Sequence, residues 1–206
     1  MTGIADIVAE EWRQFQQVNN EGGRASCQDN FPEFRRQRES QFKAWPEQLR
    51  ESYYQDLLEA AAAGRSLLTE KYAYMMRETA PERFAAMEHL LPPIDAEKRG
   101  LVEEIVAAHL EWAEAFAAEF PLYAATGRPL KAAAAFPGET AIETYTRGEL
   151  STYSPRTLRL YADYIRRCRE QGVNLTREIR DNIARSLGLT GSAEAEEILA
   201  RKYGKA

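Results

Sequence analysis

Between residues 19 and 29 the chain reads Asn19-Asn20-Glu21-Gly22-Gly23-Arg24-Ala25-Ser26-Cys27-Gln28-Asp29. Amides, carboxylates, a guanidinium and a thiol surround two adjacent glycines. Glycine adopts positive φ without steric cost, so Gly22 and Gly23 can present consecutive backbone N–H groups. With Arg24 and the N-terminus of a following helix, they suit a carboxylate or phosphate. The segment lacks a Gly-Lys-Ser/Thr ending, so it is not a P-loop. Cys27 stands about one turn before a helix start and near Arg24, and both settings favour the thiolate. Asn19, Asn20, Gly22, Gly23, Arg24 and Gln28 are therefore candidate substrate-binding residues, and Glu21 and Cys27 candidate catalytic ones. The plainer alternative is a capped turn whose polar groups satisfy one another.

A second cluster runs from Glu143 to Ser154, immediately before a helix start. Arg147 suits a substrate carboxylate, while Glu149 or Tyr153 suits proton transfer. The competing reading pairs Arg147 with Glu149 locally and packs Tyr153 under the helix. Glu11 falls inside the apolar stripe of Ile4, Val8, Phe15 and Val18, so its carboxylate must be paired, hydrogen-bonded or shifted in pKa. His109 holds the matching place on a later helix, four residues after Ile105 as Glu11 is four after Ile7. A Glu11–His109 contact is one option, either structural or an acid–base dyad. Around Leu68–Tyr72, Tyr72 joins the packed face, Lys71 sits at its edge and Glu70 points away. A Schiff-base lysine is one reading of Lys71; a solvated charge on an amphipathic helix is the plainer one.

The elements that must position these groups follow from composition and periodicity. The 206 residues carry 27 Lys+Arg against 32 Asp+Glu, a net charge of -5, and 44% are hydrophobic. That supports a sizeable core and argues against a binder of nucleic-acid backbone, which needs surplus cations. Two cysteines and two histidines exclude a disulfide scaffold and multiple Cys/His zinc sites. The start of the chain has neither a basic segment nor an apolar one, and no apolar run approaches a membrane span, so a cytoplasmic location without membrane contact is expected. No familiar cofactor motif occurs, and none is predicted. A carboxylate-only metal site from Glu11, Glu21 and Glu149 would favour hard cations, but their spacing does not demand a metal.

Helical periodicity dominates, and strand alternation is nearly absent. Helices are expected at 4–18, from Asn30 to before Pro46, at 47–63, 66–78, 81–90 and 95–120, and after Ser154-Pro155, then at 174–187 and 192–202. Asn30 with Glu33, Ser154 with Pro155, and Asn174 carry the start signals. The stretch 121–153 has two proline breaks and no strong period, so it reads as irregular. The prediction is one all-α domain of about seven to nine helices over residues 1–190, with 191–206 as a C-terminal helical extension.

The string Phe15-Gln16-Gln17-Val18 running on to Asp29 resembles the opening of a bacterial family catalogued as domain of unknown function 4125. Leu67-Leu68-Thr69-Glu70-Lys71-Tyr72-Ala73, Leu91-Pro92-Pro93 and the run from Arg147 to Pro155 match that family in order, spanning about residues 5–187. The final helix lies outside the resemblance. No activity comes with it. It implies that the family's hallmark segments are the polar, reactive ones, Asn19–Gln28 and Arg147–Tyr153, which favours a functional site there. His109 falls in none of the hallmark stretches, which weakens a Glu11–His109 dyad.

The function expected on these grounds is a small enzyme acting on a polar, anionic metabolite by acid–base or nucleophilic chemistry, in a pocket shared by segments 19–28 and 147–153. A non-catalytic module for a small molecule or a partner is the alternative, and a carboxylate-ligated metal enzyme the second. A small-molecule substrate is the expected partner, with a homodimer left open.

Overall fold

A computed structural model describes residues 3–19, 23–131 and 140–204. Among these residues eleven α-helices and no strands occur. They are α1 (Ile4–Phe15), α2 (Phe31–Lys43), α3 (Glu47–Ala62), α4 (Leu67–Thr79), α5 (Pro81–Met87), α6 (Ala96–Glu119), α7 (Pro121–Ala124), α8 (Ile142–Leu150), α9 (Pro155–Glu170), α10 (Leu175–Ser186) and α11 (Ser192–Tyr203). The side chains of Asn30, Ser154 and Asn174 accept from Glu33 N, Thr157 N and Arg177 N respectively. Each satisfies an N–H that the first helical turn leaves without a partner.

The two helices beyond the expected nine, α7 and α8, lie inside 121–153, which is therefore not irregular throughout. The inward face of α8 carries Thr144, Gly148, Glu149 and Leu150, and only one of those is a large apolar side chain. A helix that buries polar and small residues leaves little hydrophobic period to read.

The core forms around α6 and α9, where Ile105, Ala108, Leu158, Ala162 and Ile165 have no exposed surface. Burying a Leu or Ile completely contributes about 1.5–3 kcal/mol. Helices α1, α3 and α4 close one side of this core, and α2 packs across to α10. A smaller cluster joins Phe116, Phe120 and Tyr123 to Ala184 and Ala195, and so fixes α11 against α7 and α10. Glu196 on α11 accepts from the backbone N–H groups of Leu122 (3.0 Å) and Tyr123 (2.6 Å) at the start of α7. No helix among the described residues is long and apolar enough to cross a membrane.

Candidate functional site

Glu11, with no exposed surface at all, meets Arg38 of α2 through Nε at 2.7 Å and Nη2 at 2.5 Å, and Tyr53 donates to it at 2.6 Å. Arg38 reaches on with Nη1 to Glu149 of α8 at 3.1 Å. Lys71 of α4 donates to the other oxygen of Glu149 at 2.5 Å, and its ammonium lies 3.4 Å from the centre of the Tyr145 ring. Tyr153 adds a hydrogen bond to Glu149 at 2.9 Å, and Gln41 a longer one at 3.4 Å. Four helices thus contribute one buried charge each to a chain that alternates in sign, Glu11, Arg38, Glu149, Lys71.

Burial alone would push the Glu149 carboxyl up, but Arg38 and Lys71 hold it well below the usual carboxylate range. Burial lowers the Arg38 guanidinium, yet Glu11 and Glu149 more than reverse this and keep it charged. The Tyr53 and Tyr153 phenols are pushed well up, first by burial and then by the carboxylate each one faces.

Gly148 makes the α4–α8 contact possible. A Cβ there would stand 2.9 Å from the Lys71 carbonyl oxygen and 2.5 Å from the Met75 side chain. Without that side chain α8 lies against α4, and Lys71 and Glu149 come within hydrogen-bond reach.

Beside the chain opens a cleft of about 150 Å³ between α2, α6, α8, α9 and α10. Glu149, Leu150, Tyr153 and Tyr161 form its buried end. Gln41, His109, Tyr145, Thr146 and Ile179, all half-buried, surround its opening. His109 Nε2 lies 2.7 Å from the Tyr161 hydroxyl. Burial pushes the imidazole down to about 4, against the opposing pull of Glu149, so it is neutral at pH 7.

Of the residues singled out by sequence, Glu11, Lys71, Glu149 and Tyr153 come together in the buried chain, and His109 joins Glu149 and Tyr153 in the cleft. The Glu11–His109 contact does not form, because Arg38 and Tyr53 engage Glu11. Lys71 is not a solvated edge charge: it is 3% exposed. Glu70 does not point into solvent either, being buried in a two-point pair with Arg65 at 2.6 and 2.7 Å. Both corrections have one cause: neighbours of α4 cover the sides of the helix that carry little apolar surface.

Arg147 is surrounded by Glu78, Glu103 and Glu143 rather than paired with Glu149, so three carboxylates already neutralise it. Arg24 holds its own loop, bonding Asp29 at 2.7 Å, the Gln28 carbonyl at 2.9 Å and the Gln16 side chain. The buried Gln28 amide donates to the carbonyls of Phe15 (3.0 Å) and Val18 (2.9 Å) at the end of α1. Gly23 takes φ +85°, while Asn19 and Cys27 are exposed. Asn20, Glu21 and Gly22 lie outside the described residues. No described residue of 19–29 lines the cleft. Among the described residues no three His, Cys, Asp or Glu side chains are grouped to hold a metal ion; between Glu11 and Glu149 stands the Arg38 cation.

Sequence reasoning missed Arg38, Gln41, Tyr53 and Tyr161, and it gave Tyr145, Thr146 and Gly148 of the 143–154 cluster no role of their own. A signal for the chain does exist. Each buried charge is flanked at i±4 by apolar or aromatic residues: Ile7-Glu11-Phe15, Phe34-Arg38-Phe42, Leu67-Lys71-Met75 and Tyr145-Glu149-Tyr153. Positions four apart share a helix face, so a charge between two such residues faces the core.

The family described as "Protein of unknown function (DUF4125)" matches residues 1–197, which carries the match past residue 187 and into α11. No curated protein and no solved structure matches the chain.

Proposed function

From the premise that the chain belongs to the DUF4125 family, whose description assigns no activity, we propose that it is a small-molecule-binding module whose ligand enters the cleft beside the buried ion chain. The observation that carries this reading is the cleft itself: about 150 Å³, walled by aromatic rings and backed by a carboxylate fixed on every side. Four buried charges cost more desolvation than well-packed apolar residues of similar volume would. Of the four, Glu149 reaches the cleft wall, and a buried charge held at the end of a cleft is the pattern of a binding site. Glu149 is held ionised, the Tyr153 and Tyr161 phenols are raised and His109 is lowered. None is therefore matched to proton transfer near neutral pH, which favours binding over acid–base turnover.

The test is native mass spectrometry of the gently purified full chain, with extraction and identification of any bound small molecule. Wild type is expected to carry a ligand that Thr146→Trp, which fills the cleft opening, excludes. A bound molecule retained equally by Thr146→Trp overturns the reading.

The acid–base enzyme keeps one supporting observation, the 2.7 Å contact of His109 with Tyr161 in the cleft. Returning the extracted molecule to fresh protein separates the two. A binder gives it back unaltered, whereas an enzyme gives back a product, and His109→Gln slows its formation.

A further inference from the structure

Resting on the reading of the cleft as a small-molecule site, we propose that its ligand is a neutral molecule with a flat apolar body and an uncharged polar head such as a primary amide, not an anion or a cation. The charges beside the cleft are already engaged. An anion needs a free cation in the cleft, but Arg128, 5.0 Å over the Tyr145 ring, is not among the lining residues, and Arg38 is bound to Glu11, Glu149 and Gln41. Lys71 is bound to Glu149 and covered by the Tyr145 ring. A cation needs a free carboxylate, but the two oxygens of Glu149 already accept from Arg38, Lys71, Tyr153 and Gln41. Oε1 takes Arg38, Tyr153 and Gln41, and Oε2 takes Lys71 with Arg38 also 3.4 Å away. This occupies the roughly four lone-pair directions of a carboxylate unevenly but leaves neither oxygen without a donor. An ion entering the cleft would lose its hydration without gaining an equivalent partner.

What remains to meet a ligand is uncharged. Tyr153, Tyr161 and the neutral imidazole of His109 offer ring surface, with Leu150 and Ile179 as aliphatic wall, while the Tyr145 ring is already met by Lys71 and Arg128. The hydroxyls of Tyr145 and Thr146 have no hydrogen-bond partner among the described residues, and both stand at the half-buried opening. Aromatic side chains prefer offset or edge-to-face contact with other rings. A cavity of about 150 Å³ holds a benzene-sized ring, which leaves the polar head at the opening beside the two hydroxyls.

The experiment uses four probes of nearly equal size: benzamide, benzoate, benzamidinium and cyclohexanecarboxamide. Each is titrated into the full-length chain at pH 7 and followed by NMR of the aromatic and His109 resonances. Benzamide is expected to bind at least about tenfold more tightly than either charged analogue, a factor equal to one decade of Kd, and more tightly than the non-planar amide. Thr146→Trp and Ile179→Trp block the cleft from α8 and α10 and are each checked for folding by circular dichroism. Benzamide shifts are expected to vanish in every folded blocked variant. Equal or tighter binding of benzoate or benzamidinium at the cleft overturns the neutral class while leaving a small-molecule site in place. If no probe gives shifts that the blocking substitutions remove, the inference fails. The broader reading falls only when the extracted wild-type protein also carries nothing that Thr146→Trp excludes.

Discussion

Along the outside of α6, Glu97, Glu104, Glu111 and Glu119 meet Arg159, Arg166, Arg169 and Arg177 of α9 and α10 at 2.6–2.9 Å. Inside the molecule, Glu11 and Glu149 meet Arg38 at 2.5 and 3.1 Å. Distance does not separate the two sets; surroundings do. In the outer ladder each pair competes with water, and such a pair contributes about 0–1 kcal/mol. In the inner chain the charges keep at most 7% of their surface in water, so each depends on its neighbours. Removing one buried partner leaves an uncompensated charge and costs several-fold more. The ladder is a solvated seam between helices, whereas the inner chain ties α1, α2, α4 and α8 into one arrangement and shapes the cleft wall.

Breaking the inner chain at its centre has the largest expected effect. Arg38→Met leaves Glu11 and Glu149 without their shared cation, and urea denaturation should show a loss of about 3–5 kcal/mol. A loss below about 1 kcal/mol would place the inner chain on a par with a surface pair.

A smaller effect is expected in the pH dependence. The His109 imidazole falls from its ordinary 6.5 to about 4 in the fold. As pH drops through 6.5 the unfolded chain takes up this proton while the folded chain does not, down to about 4. The His109 contribution is therefore complete above that window and is lost as pH falls through it. Unfolding free energy measured across the window should decline less steeply in His109→Gln than in wild type. An unchanged slope would mean that water reaches the imidazole and the cleft is not a low-dielectric site.

The smallest effect tests the other side of the comparison. Arg166→Ala removes the Glu104 and Asp163 contacts of the ladder and should change stability by less than about 0.5 kcal/mol. A thermal scan showing a loss comparable to Arg38→Met would abolish the distinction between ladder and chain.

Much of the helical framework is legible in the chain because caps and periods are local. Asn30, Ser154 and Asn174 each mark a start with a side chain that reaches three residues ahead. Glu11 is legible as an anomaly, a carboxylate on an apolar stripe, and the demand for a partner follows from it. The partner does not: Arg38 resembles any other arginine of the charged α2 until Phe34 and Phe42 are seen at i±4. Lys71 and Glu70 were expected at the margin of α4 or beyond it, because helix periodicity locates an apolar face but says nothing of how many neighbours a helix has. The polar stretch 19–29 announces chemistry by composition, yet Arg24 and Gln28 are engaged in closing their own loop.

That the chain is helical, where most helices begin, and that one carboxylate must be buried can be read along the chain, since these depend on groups within a turn or two of each other. Which charges meet depends on the packing of distant helices. Glu11 finds Arg38 across 27 positions, Arg38 finds Glu149 across 111, and Lys71 finds Glu149 across 78. Those encounters depend on how closely helices approach, and at α4 and α8 the approach is set by the missing side chain of Gly148. Its consequence appears only when both helices are in place.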